Sequence, residues 1–308
     1  MIITKMPNRY NIVFGIDNNY VQHLCVAIIS LLTNNKDLPF NIYIISSGLS
    51  KKNMNNILYL SNRYDCEVHN ITISDNLFVE LATSKPFYPK GTYYRLLIPE
   101  LINEEKVLYL DSDIVVNGSI RNLYNEELGD YYVCAIEDPG FDRHQQLKMN
   151  PDSVYFNSGM MLINLSKWKR DSIQKKVINF IENNQDAIWF PDQCGLNSVI
   201  NGQWKKVSLK YNQQSSIFSD GFEKKFNCFS HNELQEAKER PIIIHYTGGS
   251  KPWHHKNAHP YKKLYWKYIK MTPYRHSIYS DLMPLFLLKS MIPADIRKII
   301  KMTLKKTA

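Results

Sequence analysis

Short apolar runs alternate with helical patterns along this chain. Strand-like runs occupy residues 11–16 (NIVFGI), 41–45, 66–73 (CEVHNITI), 106–110 (KVLYL), 131–136 (YYVCAI), 160–165 (MMLINL) and 241–245 (PIIIH). After the first run, Val21, Leu24, Cys25, Ile28, Leu31 and Leu32 recur at the spacing of one helix face. A second helix is predicted in SKKNMNNILYLSNR, where the Ser50 hydroxyl is placed to cap the first turn. The order βαβαβ predicts an α/β fold with a parallel sheet, helices on its faces and right-handed crossovers. In such sheets ligands bind beyond the carboxyl ends of the strands.

That rule singles out three polar clusters that follow predicted strands. Asp17, Asn18 and Asn19 come after NIVFGI; Asp111, Ser112 and Asp113 come after KVLYL; His245 ends PIIIH and is followed by TGGSK. Side chains two apart on an extended chain share a side, so Asp111 and Asp113 are expected to face the same way. Two adjacent carboxylates repel unless a cation neutralises them. With an imidazole from a neighbouring strand end they would form a largely oxygen site suited to Mn²⁺ or Mg²⁺. TGGSK adds glycine N–H groups able to approach a diphosphate and the point charge of Lys251. A lone DxD also occurs in solvated turns, a lone His in cores and Gly-Gly in ordinary loops, so the combination carries the inference. The dinucleotide GxGxxG and the P-loop GxxxxGK[ST] are both absent, which argues against NAD-dependent and P-loop phosphoryl chemistry.

Composition narrows the setting. The chain has 308 residues, 44% of them hydrophobic, enough for one large domain or one plus an appendage. Five scattered cysteines form no CxxC pair, which predicts reduced thiols. No apolar run suits a signal peptide or a membrane span, so a cytoplasmic protein is expected. The net charge of +9 is unevenly spread. Residues 251–308 hold 13 Lys or Arg against two acids, a net +11, whereas residues 1–250 hold 25 against 27. That distribution argues against nucleic acid as a partner. In PADIRKIIKMTLKK, Ile296, Ile299, Ile300 and Leu304 fall at helical spacing among Arg and Lys. The tail is therefore expected to be a basic amphipathic helix, either lying on an anionic membrane leaflet or packed on its own body.

Six segments in order, NIVFGIDNNY, GTYYRLLIPE, KVLYLDSDIVV, VYFNSGMMLINLSKW, PDQCGLN and IHYTGGSKPW, resemble the retaining glycosyltransferases of family eight. That family includes bacterial lipopolysaccharide galactosyl- and glucosyltransferases and, more distantly, glycogenin. The resemblance spans about residues 10–270. It implies a GT-A fold, a Rossmann-like mixed but mostly parallel sheet flanked by helices. It also implies a UDP-sugar donor, a divalent metal, usually Mn²⁺, and retention of anomeric configuration. Carried over by position, Asp111, Asp113 and His245 would hold the metal. Gly15, Asp17, Asn19 and Tyr20 would hold uracil and ribose, Gly248 and Lys251 would face the diphosphate, and Ser112 would be among the donor-binding residues. Arg95, Asp138, Asn157, Asp192 and Gln193 would surround the donor sugar, with Asp138, Asp192, Gln193 and Lys251 as the catalytic candidates. Each also has a plain structural reading: Arg95 as the partner of an acid, Asn157 as a turn cap, Asp192 as the N-cap of helix 193–200. The loop TSKPFYPKG departs from the galactosyltransferase pattern, so the choice between glucose and galactose stays open.

The expected function is transfer of glucose or galactose from UDP to a lipid-linked glycan of lipopolysaccharide core or O-antigen type, on the inner face of the membrane. The expected organisation is a catalytic domain over residues 1–270 and a basic helical tail over 271–308. Rival readings are a protein or soluble glucan acceptor, a metal-dependent phosphodiesterase, and a non-catalytic UDP-sugar-binding module.

Overall fold

The computed structural model describes residues 9–74, 90–139, 141–219, 221 and 228–282. Its first half follows the predicted alternation: β1 (Tyr10–Gly15), α1 (Val21–Asn34), β2 (Phe40–Ser46), α2 (Lys51–Ser61) and β3 (Cys66–Thr72). The three strands pair in parallel. Ser50 Oγ accepts the N–H of Asn53 at 3.2 Å, the predicted cap of α2. A 3₁₀ segment, Lys90–Leu97, then leads through the short α3 (Ile98–Leu101) into β4 (Lys106–Leu110), which pairs in parallel with β1 on the edge opposite β2.

Beyond β4 the chain changes sheets. The elements are β5 (Ile114–Val116), α4 (Arg121–Tyr124), β6 (Val133–Glu137), β7 (Phe156–Asn164), α5 (Leu165–Arg170), α6 (Ile173–Asn183) and α7 (Pro191–Ile200). They are followed by β8 (Lys205–Lys206), β9 (Gln213–Gln214), α8 (His231–Glu239), β10 (Ile243–His245) and α9 (Lys262–Ile269). One sheet has seven strands in the order β3-β2-β1-β4-β7-β6-β8, mostly parallel with β7 reversed, and a second has the order β5-β10-β9. The expected mixed, mostly parallel α/β architecture is present.

The core lies on both faces of the large sheet, as the continuous apolar runs in its strands require. Ile12, Phe14, Leu108 and Leu110 point to one face with α1, the small sheet and α9. Val13, Val107 and Tyr109 point to the other with the 3₁₀ segment, α5, α6 and α7. None of the five cysteines is in a disulfide.

Two expectations change. The strand predicted at 160–165 begins at Phe156, because the polar and small residues Asn157, Ser158 and Gly159 interrupt the apolar pattern while their backbone still pairs. Asp192 does not cap α7; Phe190 occupies that position and Asp192 lies inside the first turn, buried. The predicted tail helix falls within 283–308 and, like residues 83–89 of the TSKPFYPKG loop, lies outside the described residues. Residues just before it pack on the body: Tyr274 donates to Asn53 Oδ1 at 2.7 Å and Ser277 to Gln22 Oε1 at 3.0 Å.

α6 and α7 approach closely at Gly195, where a Cβ would lie 2.8 Å from Ile181 Cγ1 and 3.0 Å from Val177 Cγ1. Gly195→Val is expected to destabilise the protein by about 1–3 kcal/mol through overpacking. Urea denaturation measures this, and an unchanged midpoint would contradict the packing described.

Candidate active site

The carboxyl edge of the large sheet collects the polar clusters. β1 ends at Gly15, β4 at Leu110 and β6 at Glu137, just before Asp138, while reversed β7 begins there with Asn157, Ser158 and Gly159. Asp111 N–H donates to Gly159 O at 2.8 Å, which extends the β4–β7 pairing by one residue. Asp111–Asp113 is then the bend through which the chain passes from the large sheet into β5. His245 stands opposite Ile114 in the antiparallel pair β10–β5, and Tyr246 N–H donates to Asp113 O at 3.1 Å. The two carboxylates thus converge because of a bend between sheets, rather than by strand alternation.

Asp111, Asp113 and His245 each bring one ligand atom into a group spanning no more than 4.8 Å. His245 Nε2 lies 3.7 Å from Asp111 Oδ2 and 3.3 Å from Asp113 Oδ1. Its Nδ1 lies 2.9 Å from Asn212 Oδ1, and its Nε2 is the ring nitrogen on the side of the two carboxylates. Gly159 is required beside it: a Cβ there would be 2.2 Å from His245 Cε1 and 2.7 Å from Asp111 Oδ2. The donors and the space fit a divalent cation.

Charges around this group are balanced by burial and pairing. Burial pushes the Asp113 carboxyl up, but Lys251 and His245 outweigh it and hold it well below the usual carboxylate range. Lys251 Nζ bonds Asp113 Oδ2 and Tyr246 O. Arg95, buried, bonds Asp111 Oδ1 at 2.8 Å, Asp192 Oδ2 at 3.1 Å, and Ser158 through its carbonyl and hydroxyl. Tyr109 donates to Asp111 Oδ1 at 2.8 Å, and its ring lies 4.5 Å from the Arg95 guanidinium. Burial raises Asp192 despite Arg95.

A second polar group adjoins the first. Asp138 Oδ2 accepts Gln193 Nε2 at 2.8 Å and Asn157 Nδ2 at 3.3 Å, and burial still raises the Asp138 carboxyl. Gln193 Oε1 accepts the Ser158 N–H at 2.9 Å. Ser158 Oγ also lies 2.9 Å from Asp192 Oδ2.

The sequence-derived residues divide as follows. Gly15, Asp17, Tyr20, Arg95, Asp111, Ser112 and Asp113 line one cleft together with Gly91 and Thr92. Asp17 caps a 3₁₀ turn, its Oδ1 accepting the N–H of Asn19 at 2.7 Å and of Tyr20 at 3.2 Å. Asn19 is exposed at that turn. Tyr20 is 37% exposed and meets Trp253 edge-on, while His23 stacks flat on Trp253 at 3.5 Å and is pushed down to about 3 by burial. Gly248 adopts φ +80° in the TGGSK turn, with open space where a Cβ would be. Sequence reasoning missed Asn212, Ser158, Gly159 and Tyr109 as site members. The signal available for Gly159 was a glycine interrupting a strand, which often marks close approach of another group.

The sequence profile of the family "Glycosyl transferase family 8" matches residues 11–257. "General stress protein A" of Bacillus subtilis is 30% identical over 269 residues, covering 85% of this chain and 93% of that protein. "Lipopolysaccharide 1,2-glucosyltransferase" of Escherichia coli is 29% identical over 303 residues, 89% of this chain and 88% of that protein. The crystal structure of the galactosyltransferase LgtC with donor and acceptor sugar analogues superposes with a TM-score of 0.74 at 24% identity, over 88% of this chain and 98% of that one, and so shares the fold.

Two outcomes follow from the site geometry. Gly159→Ala is expected to weaken binding of a divalent cation about tenfold or more by displacing His245, measured by calorimetry across a panel of divalent metals. Asp113 is depressed in the fold, so its contribution to stability is complete above its unfolded value of about 4 and lost as pH falls toward its folded value. Urea titrations at about pH 6 and about pH 3 should show wild type losing more stability than Lys251→Met. Equal losses would argue against the pairing.

Proposed function

The chain belongs to glycosyl transferase family 8, and from that premise we propose that it is a retaining hexosyltransferase moving glucose or galactose from UDP to a lipid-linked glycan of lipopolysaccharide core or O-antigen type. The observation that carries this reading is the convergence of Asp111, Asp113 and His245 beside Lys251, with Arg95 tying Asp111 to the turn that bears Asp192 and Gln193. In this reading Gly15, Asp17, Asn19 and Tyr20 hold uracil and ribose, and Ser112 and Gly248 border the diphosphate. Asp138, Asn157, Asp192 and Gln193 surround the hexose. A Mn²⁺ or Mg²⁺ ion held by Asp111, Asp113 and His245 would supply Lewis acidity toward the departing diphosphate. Lys251 adds a fixed positive charge beside it.

The hydrogen bonding supports front-face attack over double displacement. Gln193 is an amide, a poor nucleophile, and its Oε1 already accepts the Ser158 N–H. Asp192 is engaged by Arg95 and Ser158. In the front-face route the acceptor hydroxyl enters on the side UDP leaves, and the leaving phosphate oxygen takes its proton. In this reading the Gln193 dipole and the Asp192 charge would stabilise an oxocarbenium-like sugar. The carboxylate pair of a glycoside hydrolase is not needed.

The acceptor reading draws on the name of the E. coli relative and on a basic face of the body. Lys262, Lys263, Lys267 and Lys270 surround Trp266 and Tyr279, and Arg63, Arg275 and His276 adjoin Tyr59. Cations at an anionic leaflet contribute about 1 kcal/mol each, with aromatic side chains suited to the interface. Among the described residues no helix is long and apolar enough to cross a membrane. We therefore propose a catalytic body over 1–270 and a basic tail over 271–308 that together hold the enzyme at the cytoplasmic face.

Purified protein incubated with UDP-glucose and UDP-galactose, with Mn²⁺ or EDTA, tests the reading through UDP release. The expected result is metal-dependent turnover of one donor, reduced about a hundredfold or more in Asp113→Asn. No turnover of either donor with any divalent metal would remove it. A chain ending at Leu282 is expected to keep UDP-sugar hydrolysis and lose transfer to an acceptor embedded in anionic vesicles; full transfer would favour a soluble acceptor.

A further inference from the structure

We propose that Asn212, backed by Asn157, is a positioning residue that fixes His245 as the tautomer protonated on Nδ1 and so presents Nε2 to a divalent cation. The proposal rests on the cation site described above and adds a residue that the motifs did not indicate.

The hydrogen bonds have a single consistent direction. Gly159 N–H, a main-chain donor that cannot reverse, points at Asn157 Oδ1 at 3.1 Å. The side of the Asn157 amide facing Gly159 must therefore be its oxygen, and its Nδ2 is left to donate to Asp138 Oδ2 at 3.3 Å. That same Asn157 oxygen lies 2.9 Å from Asn212, so Asn212 must turn its Nδ2 toward it. The Asn212 oxygen is then left facing His245 Nδ1 at 2.9 Å, and Nδ1 must carry the hydrogen. Reversing Asn157 would set its NH₂ against the Gly159 N–H. Reversing Asn212 alone would set oxygen against the Asn157 oxygen. One backbone amide, through two asparagines, determines which nitrogen of His245 holds a lone pair.

The fold holds this relay rigidly. Asn212 is fully buried and immediately precedes β9, whose parallel pairing with β10 sets Gln213 against Ile244 and Gln214 against His245. Asn212 N–H is itself bonded to Leu209 O at 3.1 Å. Without the Asn212 oxygen, the two carboxylates facing Nε2 would favour a hydrogen on Nε2, which would oppose a cation between them. Asn212 therefore works against the preference of the metal-binding carboxylates themselves, which is a physical reason for an amide rather than an apolar side chain at a fully buried position. The same two asparagines connect the cation group to Asp138 and Gln193.

The test reads the tautomer directly, independently of any turnover. ¹⁵N NMR of histidine-labelled, metal-free protein at alkaline pH, with His245 assigned from the His245→Gln spectrum, is expected to show Nδ1 protonated and Nε2 bare. A ring protonated on Nε2 would overturn the proposal even if the enzyme is active. In calorimetry with Mn²⁺ alone, Asn212→Leu is expected to lose about tenfold in affinity. Equal affinity in Asn212→Leu and wild type would also overturn it. Should Asn212→Leu fail to fold, the wild-type tautomer still decides. Wild-type protein that binds no Mn²⁺ but shows the Nδ1 tautomer would remove the cation site, and with it the role assigned to Asn212, while leaving the hydrogen-bond direction intact.

Discussion

The buried guanidinium of Arg95 is the contact on which the site depends. It comes from the 3₁₀ segment and grips Asp111 at the end of β4, Asp192 in the first turn of α7 and Ser158 at the start of β7. Four elements far apart in sequence thereby meet at one planar cation, whose fork geometry suits several acceptors at once. Burial alone would disfavour its charge, yet Asp111 and Asp192 hold it firmly protonated. A buried pair of this kind adds little net stability, but removing one partner leaves an uncompensated charge costing about 3–5 kcal/mol. Its value is positional: Asp111 is bonded on one oxygen by Arg95 and Tyr109, which leaves the other facing His245.

From that anchor the polar edge divides into the side of Asp111, Asp113 and His245 and the side of Asp138 and Gln193. Lys251 offsets Asp113 on the first, and the amides of Asn157 and Gln193 surround Asp138 on the second. Burial pushes both the Asp138 and the Asp192 carboxyl upward, so each detracts from stability at neutral pH.

Much of the fold was legible because it is written in short-range pattern. The apolar face from Val21 to Leu32 became α1, Ser50 became the α2 cap, and KVLYL became β4 with the bounds read from it. The start of β7 was hidden because Asn157, Ser158 and Gly159 serve the site and so break the apolar rhythm of the strand. Local pattern and global role conflict where function is concentrated. The acidic pair and His245 were legible from their place after strands, while Arg95, Asp138, Asn157 and Gln193 came only through family resemblance. Asn212 was invisible, because its partner lies 33 residues away and nothing local distinguishes it from the many other asparagines.

The sequence by itself determined the α/β alternation, the strand ends and the charges placed after them, since these depend on periodicity and chemical type along neighbouring residues. Only the tertiary structure decided which charges meet. The reversal of β7, the passage between sheets at Asp111–Asp113 and the pairing of β9 with β10 set distances between residues tens to more than a hundred positions apart. Carboxylates, imidazole and amides acquire defined partners and directions only at hydrogen-bonding distance, and that distance is a property of the folded backbone.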